Sequence, residues 1–479
     1  MKSEPSDELE PAGESGQGVV PFHEKLAYAA GNPVDQLAAG VVGRLTNPIF
    51  VVTMGISPSL ISLVTVLYRF WDALTDVAAG WLSDNTRSRW GRRRPFVFVG
   101  AIATGLWMPV IWFFPQGWPT ALLVTWMVVM WMVRDVFASA WNVPYQALML
   151  EMSSSPKQRT SISAMRSYFG SLGAIVVGWV WYLTQLPVFE DASGKVDIIL
   201  GARWVTIGFG ILVIVLGILP AIFAKERFYA QAAKQARVSL RDNFRFTFTN
   251  RPFWFLVGFT FLFVLGTSAK GGLSFYTELF YVCGGDQKLC AKINGLEASL
   301  TLGLGLAGIP LFQWLAGKFG QKPVLMLAMA IVSTASLSTL VTYTPKMPYL
   351  MMVTGLLQAP AMSGLWLLLP PMLGDIVDYD ELRTTERREG AFMSIFSWVF
   401  KLGYTLAAAV SGPVVELAGF RIKNGVEQAE GVVETMRWLL AVIPASMVGI
   451  GLLVLAFYPL GRRRMREVRA ELEARRGVV

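Results

Sequence analysis

The sequence predicts an all-α polytopic membrane protein, and three observations lead to that class. Of the 479 residues, 54% are hydrophobic and only 16% are charged, whereas a soluble domain carries charge on about a quarter of its residues. The mean hydropathy is +0.48. Runs such as 204–223 and 324–341 are apolar on every face, and each is long enough for a helix to cross a bilayer. A membrane β-barrel would show short alternating segments instead.

Twelve apolar runs predict twelve membrane-spanning helices. They begin near residues 26, 59, 95, 119, 161, 203, 252, 291, 323, 348, 390 and 434. An even number of spans leaves both termini on one side, and the clusters of Lys and Arg fall on that side, which the positive-inside rule identifies as the cytoplasm. We therefore expect a multi-pass protein of the plasma membrane, or of the inner membrane if the source is bacterial, with the lipid bilayer as a partner and a functional monomer.

The domain organisation follows from the longest polar stretch between spans, 224–250. It predicts a disordered cytoplasmic tail over 1–24, a six-helix bundle over 25–223, a cytoplasmic linker over 224–250, a second bundle over 251–461 and a basic cytoplasmic tail over 462–479. A weak repeat supports two halves, because glycines and basic residues follow both the second and the eighth span. Such repeats are typical of transporters that rock two halves about a central site.

Several function classes are excluded by composition. The net charge is +9, but the basic residues lie between spans, so no nucleic-acid partner is expected. A single His23 and two cysteines, Cys283 and Cys290, provide neither a metal cage nor a CxxC redox pair. No GxxxxGK[ST] motif occurs, and no cofactor is predicted. The two cysteines flank a loop predicted to be external, where a disulfide and free thiols are equally compatible.

Three segments carry a resemblance to a known family. They are RFWDALTDVAAGWLSDNTRSRWGRRRPF (69–96), WNVPYQAL (141–148) and GDIVDYDELRTTERREG (374–390). The chain resembles the glycoside-pentoside-hexuronide:cation symporters, the group that includes the melibiose permease, within the major facilitator superfamily. The resemblance implies the major facilitator fold, with twelve helices in two six-helix halves, and uptake of a sugar or glycoside driven by Na⁺ or H⁺.

Charged residues at membrane depth are the first candidates for function, since each costs about 3 kcal/mol on insertion scales unless it has a partner. On the second span Arg69, Asp72 and Asp76 stand on one helical face. Lys401 lies far from either end of the eleventh span. Two acids and a lysine on different helices indicate either a switchable pair or a permanent salt bridge.

The physical interpretation is a cation site. Asp72 and Asp76, with a hydroxyl such as Ser139 on the fourth span, form a hard oxygen cage for Na⁺ or Li⁺, or a proton site. Lys401 would compensate the carboxylates when the cation leaves. In the family, residues matching Asp72, Asp76 and Ser139 ligate the coupling cation, and a lysine matching Lys401 takes part in coupling; Arg69 is included with that coupling group.

Sugar recognition requires planar polar groups for hydroxyls and an aromatic face for the ring. The candidate substrate-binding residues are Asp35, Gln36, Asn142, Gln146, Arg166, Trp366 and Ser397, with Trp141 and Trp398 as further aromatic candidates. In the family, residues matching the Asp35/Gln36 pair, Asn142, Arg166 and Trp366 bind sugar. Asn142 stands where the melibiose permease has an acid. A tryptophan at an interface or in helix packing, and a kink role for Asn142 before Pro144, remain alternatives.

Two further sets of charges have open assignments. Asp135 shares a helical face with Ser139, so it is either a further cation ligand or, as we favour, the partner of Arg69; Arg134 is expected to pair with another helix. In the cytoplasmic set, Asp84 is expected to pair with Arg92 and Arg93, and Asp375 and Asp378 with Arg159 or Arg388. These ion pairs would run across the two halves and hold this side shut. The members of the set are Asp84, Arg92, Arg93, Arg159, Asp375, Asp378 and Arg388.

The sequence thus favours a secondary transporter over three other readings. Transport of an amphiphile such as a lysolipid and a non-transporting sugar sensor are the alternatives. A membrane-embedded enzyme would need a catalytic set, but Asp72 and Asp76 share one helix and no nucleophile motif accompanies them. We therefore expect no enzymatic activity. The coupling ion, Na⁺ or H⁺, and the identity of the sugar are left open.

Overall fold

The fold is described from a computed structural model of the full chain. It describes residues 20–115, 117–153, 156–192, 194–227, 250–384, 389–425, 427–429 and 431–476. Most of the tail expected over 1–24 and of the linker expected over 224–250 lies outside these ranges. A helix already begins at Phe22, inside the segment for which we expected disorder.

The described residues of the first half form seven α-helices. They are α1 (Phe22–Ala30), α2 (Asn32–Thr46), α3 (Pro58–Asn85), α4 (Arg94–Val110), α5 (Thr120–Met152), α6 (Pro156–Leu183) and α7 (Ile198–Phe223). A π-helical segment, Asn47–Thr53, continues α2. Ser57 caps α3, since its hydroxyl accepts a hydrogen bond from the Leu60 amide at 3.3 Å, and Pro58 occupies the first helical position.

The second half repeats much of this pattern. Its helices are α8 (Arg251–Tyr276), α9 (Gln287–Phe319), α10 (Gln321–Leu337), α11 (Thr339–Thr342), α12 (Met352–Thr384), α13 (Glu389–Leu417), α14 (Val432–Ala456) and α15 (Arg462–Arg476). A π-helical segment, Thr277–Val282, continues α8 as the earlier one continues α2. Asn250 and Asp286 cap α8 and α9 through their side-chain oxygens.

Eight helices of the described residues are long and apolar enough to cross a membrane. They span Thr120–Met149, Ile198–Phe223, Arg251–Val282, Gln287–Phe319, Gln321–Thr342, Pro348–Thr384, Ala391–Leu417 and Val432–Ala456. The predicted all-α polytopic membrane class is therefore confirmed. Helix α3 has the necessary length, 28 residues, but Arg69, Asp72, Asp76 and Asp84 lower its hydropathy.

Each half is held together by close helix packing. Helix α4 packs on α5 and α7, α2 packs on α6, and in the second half α8 packs on α13 and α14 while α9 packs on α12. Glycines allow the closest approaches: a Cβ at Gly100 would lie 2.7 Å from the Trp141 amide nitrogen, and one at Gly308 would lie 2.6 Å from Pro360 Cα. Such distances leave no room for any side chain.

Two seams join the halves, α3 with α13 and α6 with α9. We call the end of the bundle where α3 begins and α13 ends the closed end. There the Gly412 amide donates to Ser62 Oγ at 2.8 Å, and the Ser59 amide donates to Glu416 Oε1 at 3.1 Å. In the other seam Trp179 Nε1 donates to Ser299 Oγ at 2.9 Å.

The segment expected to be a basic tail is the helix α15, which packs against α12. Its apolar face is buried through Met465, Val468 and Leu472, and these positions recur at helical spacing. Arg475 Nη1 donates to the Leu382 carbonyl at 2.8 Å. Charge alone suggested a solvated tail, but the three apolar residues give this segment one face that packs on the bundle.

Candidate functional site

The predicted partners Asp76 and Lys401 meet across the seam between α3 and α13. Lys401 Nζ donates to Asp76 Oδ2 at 3.1 Å. The lysine side chain is 56% exposed, so it reaches into an accessible space at membrane depth rather than into packed protein. The two helices belong to different halves of the chain. The ion pair therefore joins the two halves of the chain.

A buried hydroxyl joins the predicted cation-site residues of α3 and α5. Thr75 Oγ1 donates to Asp135 Oδ2 at 2.9 Å and lies 3.1 Å from Ser139 Oγ. Asp135 is only 2% exposed, and a buried carboxylate needs such partners. Thr75 lies between Asp72 and Asp76 on α3, yet nothing in the sequence distinguished it from other threonines of the spans. It was therefore missed.

The favoured pairing of Asp135 with Arg69 is wrong. Asp135 Oδ1 lies 3.6 Å from Nη2 of its own neighbour Arg134, whereas the Arg69 guanidinium lies over the rings of Tyr68 and Tyr404, 5.9 and 6.0 Å from their centroids. Adjacent residues point about 100° apart on a helix, but the long Arg134 side chain bends back far enough to reach the carboxylate.

Arg134 also connects α5 with α2 and α3. Its Nη1 donates to the Ala38 carbonyl at 3.0 Å, and its Nη2 donates to the Tyr68 hydroxyl at 2.7 Å. The expectation that Arg134 pairs with other helices is met by these bonds. A carbonyl and a hydroxyl are neutral acceptors, so Asp135 is the residue that balances the arginine's charge.

A cavity of about 290 Å³ brings most of the predicted site together. It is lined by the predicted residues Asp35, Arg69, Asp72, Asp76, Ser139, Asn142, Gln146 and Lys401. Gln146 Nε2 donates to Asn142 Oδ1 at 3.0 Å, so these two amides are held in one orientation along α5. With Asp135 and Arg134, which also line it, the cavity combines four carboxylates, three cations and two amides, and these groups can bind both a cation and a set of hydroxyl groups.

Arg166 lies beside this cavity rather than in its wall. Its Nε donates to Asn32 Oδ1 at 2.7 Å, and Asn32 Nδ2 donates back to the Arg166 carbonyl at 3.0 Å. The guanidinium lies 5.5 Å from the ring centroid of Tyr145, which stacks on Tyr28. Asn32, which begins α2, was not anticipated, because an asparagine before a proline is equally typical of a helix start.

Besides Arg166, three further predicted substrate residues lie outside the cavity wall. Trp366 is half exposed, with its ring 5.5 Å from that of Phe400. Ser397 is exposed on α13, and Gln36 is exposed on α2 close to Gly173 of α6. The structure therefore groups Asp35 with the charged residues, while Gln36 points to the neighbouring helix.

The cytoplasmic pairs expected across the halves are formed inside the first half. Arg93 pairs with Asp84, and Arg92 Nη1 lies 3.7 Å from Asp84 Oδ1. Glu151 Oε1 accepts from Arg92 Nη2 at 2.5 Å and from Arg93 Nε at 3.2 Å. These residues lie at the end opposite the closed end, on α3, on α5 and at the start of α4. The unexpected partner is Glu151 of α5.

The remaining members of this set also differ from expectation. Asp375 accepts from Arg469 of α15 at 2.6 Å, so its partner lies in the same half. Arg159 Nε donates to the Ser153 carbonyl at 2.8 Å. Asp378 lies near the end of α12, and Arg388 lies outside the described residues. The sequence did not predict a helix at 462–476. For that reason Arg469 was not expected to pair with Asp375.

A second polar group lies in the other half, between α8, α9 and α12. Glu278 accepts from Asn294 at 3.1 Å and from the Tyr343 hydroxyl at 2.9 Å. Lys270 Nζ donates to Gln358 Oε1 at 3.3 Å. Glu278 and Lys270 therefore each have a hydrogen-bonded partner. The sequence alone indicated no role for either charge. Cys283 and Cys290 are both buried and are free thiols.

Comparison with known proteins places nearly the whole chain in one family. The family model described as MFS/sugar transport protein matches residues 28–462. The isoprimeverose transporter of Lactiplantibacillus pentosus is 24% identical over 96% of this chain and 93% of its own. The glucuronide carrier protein homolog of Escherichia coli K12 is 23% identical over 95% and 96%. The sodium-dependent lysophosphatidylcholine symporter 1 of Mus musculus is 23% identical over 94% and 88%.

Solved structures support the same fold. A bacterial homolog of the human lysosomal transporter Spinster, inward-facing and unoccupied, has a TM-score of 0.63 at 14% identity, with 95% of this chain and 99% of that one covered. The D-xylose-proton symporter has a TM-score of 0.61 at 14% identity, with 91% and 97% covered. At such identities the likeness establishes the fold and carries no information on the substrate.

Proposed function

Because the chain belongs to the MFS/sugar transport protein family, we propose that it is a cation-coupled symporter of a sugar or glycoside. The resemblance to the glycoside-pentoside-hexuronide:cation symporters is confirmed by this membership and by relatives named as sugar and glycoside carriers. The observation that carries the proposal is the Lys401–Asp76 ion pair, which crosses the seam between the halves in the wall of a cavity with three more carboxylates.

The coupling mechanism follows from charge balance. Asp72 and Asp76 lie one turn apart on α3 and face the same cavity as Lys401. A Na⁺ ion or a proton bound to these carboxylates compensates the negative charge that attracts Lys401. When the cation leaves, the negative charge attracts the lysine again. An uncompensated charge at membrane depth is avoided in both states. Ser139 lies within reach of the same group through Thr75 and supplies a hydroxyl oxygen.

The sugar would bind in the same cavity, next to the cation. Asp35, Asn142 and Gln146 supply acceptors and donors for ring hydroxyls, and Arg166 supports the wall through Asn32. Trp366 and Ser397, on α12 and α13, would join this site when the second half moves toward the first. A volume of about 290 Å³ lies near the lower end of small-molecule sites, as expected for a sugar-sized ligand.

Alternating access would use the two seams. Contacts of Ser62, Gly412 and Glu416 shut the closed end, while Lys401 and Gln146 remain exposed from the other side. We propose twelve spans with both termini at that other, cytoplasmic end, in the plasma membrane, and a monomer as the transporting unit. Asp84 is half exposed, so it can exchange its arginine partners when that end shuts.

The test is transport by purified protein in liposomes. Radiolabelled mono- and disaccharides are offered under an imposed Na⁺ gradient, an imposed H⁺ gradient or neither. Concentrative uptake that follows one gradient identifies the coupling ion and the sugar class together. Absence of uptake under both gradients contradicts the proposal, and sugar binding without flux would indicate the sensor. Lysophosphatidylcholine is included in the panel, since one relative bears that substrate in its name.

A further inference from the structure

A second cavity lies at the end of the second half, away from the transport site. It has a volume of about 370 Å³ and is bounded by the end of α9, the start of α10 and the start of α15. Its charged lining consists of Lys322, Arg462, Arg466, Arg469 and Asp375. Four cations face one acid, and we call this site the basic cavity. Nothing in the proposed transport cycle uses it.

The four cations are not equally engaged. Lys322 Nζ donates to the carbonyls of Ala456 and Tyr458 at 2.7 and 2.8 Å, and Arg462 Nη1 donates to the Lys318 carbonyl at 2.8 Å. These bonds fix the two side chains in place against the ends of α14 and α9. Carbonyl acceptors are neutral and therefore leave both positive charges uncompensated.

Arg466 is the free member of the set. Arg469 is paired with Asp375 at 2.6 Å, whereas the Arg466 guanidinium makes no hydrogen bond or ion pair with any residue in the described part of the chain. A guanidinium presents a fork of donors that matches two phosphate oxygens. The basic cavity therefore combines fixed positive charge with one uncommitted bidentate donor.

The backbone around the basic cavity leaves room for a ligand. A Cβ at Gly317 or at Gly461 would meet no atom within 4 Å, although both residues line the cavity. The first turn of α10 has no side-chain cap, so no side chain of the helix start accepts from the amides of Gln321 and Lys322; the third residue, Pro323, has no amide hydrogen. Free space, uncapped amides and excess positive charge together favour an anion of phosphate size.

Exposed aromatic residues place the basic cavity at the level of lipid headgroups. Trp314 is 60% exposed and Phe457 is 72% exposed, at the ends of α9 and α14 that adjoin the cavity. Lys318 Nζ lies 5.5 Å from the Trp314 ring centroid. Aromatic rings of this kind mark the membrane interface, and acyl chains attached to a phosphate in the cavity would run along them.

We propose that the basic cavity binds the phosphate headgroup of an anionic membrane lipid. The lipid phosphate accepts from Arg466 and lies among the fixed charges of Lys322 and Arg462. Its acyl chains cover Trp314 and Phe457. A bound lipid would join α9, α10, α14 and α15, all of the second half, and would hold α15 against the bundle.

The experiment measures retention of phosphatidylglycerol by the full chain. The protein is placed in phosphatidylcholine nanodiscs with and without phosphatidylglycerol, and bound lipid is counted by native mass spectrometry after detergent extraction. Arg466→Gln should weaken retention about tenfold, because a hydrogen bond to a charged group contributes at least that factor. Gly317→Leu should weaken it as well, by filling the cavity without removing a charge.

The matched control is Arg463→Gln on the same helix. Arg463 is 93% exposed and pairs with Glu467 at 3.5 Å, outside the basic cavity, so phosphatidylglycerol retention should stay unchanged. Equal losses in Arg463→Gln and Arg466→Gln would show general attraction to anionic lipid and overturn the assignment. Unchanged retention in Gly317→Leu would also overturn it. Full displacement by millimolar inorganic phosphate would assign the cavity to a soluble anion instead.

Discussion

Lys401 forms an ion pair with Asp76 and not with Asp72, although both carboxylates line the same cavity. The lysine nitrogen lies 3.1 Å from Asp76 Oδ2, while the Asp72 carboxylate accepts no hydrogen bond from the residues in the described ranges. The two acids are therefore unequal. In the proposed cycle the arriving cation meets Asp72 first. The ion pair between Lys401 and Asp76 then breaks.

Asp76→Asn and Asp72→Asn should each abolish cation-driven accumulation. Both remove a carboxylate that holds the cation, so we expect a loss of at least about tenfold, the scale of one charge-assisted contact. Sugar exchange without a gradient should survive in part, since the sugar groups are intact. The measurement compares gradient-driven uptake with counterflow in liposomes. Glu434→Gln is the control, since it removes an exposed acid at the start of α14 that does not line the cavity. Concentrative uptake in both variants would refute the cation site.

Thr75→Val should weaken both folding and cation affinity. The change leaves Asp135 buried without its hydroxyl donor, which costs about 1–3 kcal/mol, and it releases Ser139 from its position. Unfolding of the detergent-solubilised protein and the half-maximal cation concentration for uptake are the two readouts. Thr125→Val is the control, since its hydroxyl bonds only to the Ala121 carbonyl of its own helix. An unchanged half-maximal cation concentration in Thr75→Val would show that this hydroxyl does not contribute to the cation site.

Gly100→Ala should destabilise the first half by about 1–3 kcal/mol, because overpacking forces α4 away from the backbone of α5. Thermal unfolding in detergent measures the change. Gly208→Ala on α7 is the control, since a Cβ there meets nothing within 4 Å, and removing a glycine from a helix is favourable by about 0.5–1 kcal/mol. The close approach of α4 and α5 would be in question if the two variants unfolded at the same temperature.

A disulfide between the halves should lock the closed end. Gly178 of α6 and Ala298 of α9 face each other directly, and a Cβ at Gly178 would lie closer to Ala298 Cβ than the roughly 3.5–4.5 Å that a disulfide spans. The thiols of Gly178→Cys and Ala298→Cys therefore bond once the two helices separate slightly. Oxidation should abolish uptake, and reduction should restore it, because transport requires this seam to part. Each single variant serves as a control. Uptake that persists with the bond formed, as shown by mass spectrometry, would contradict alternating access at this seam.

The sequence predicted the charged core of the site better than its supporting residues. Asp72, Asp76 and Lys401 stand out because charge at membrane depth is costly, and the structure brings all three to one cavity. Thr75 and Asn32 did not stand out, since neutral polar residues are common in spans. Their role depends on which helices become neighbours, which spacing along the chain does not reveal.

Some ion-pair partners could not be predicted for a related reason. Arg92 and Arg93 were expected to pair with Asp84, and both do, but Glu151 on α5 binds them as well and the whole cluster lies within the first half. Asp375 was assigned to Arg159 or Arg388, and Arg469 of α15 binds it instead. Net charge indicates that such clusters need partners. Only the packing of the helices decides which acid and which base are adjacent.

The glycines at 100 and 308 have a mechanical consequence. At both positions two helices approach so closely that not even a methyl group fits between them, so neither pair can slide without a steric clash. Each half therefore resists sliding of its packed helices at these contacts. The two seams contain equally close contacts, Gly412 against Pro58 and Gly178 against Ala298. In the proposed cycle the halves would therefore have to separate face from face at the closed end, because sliding along either seam is blocked as well.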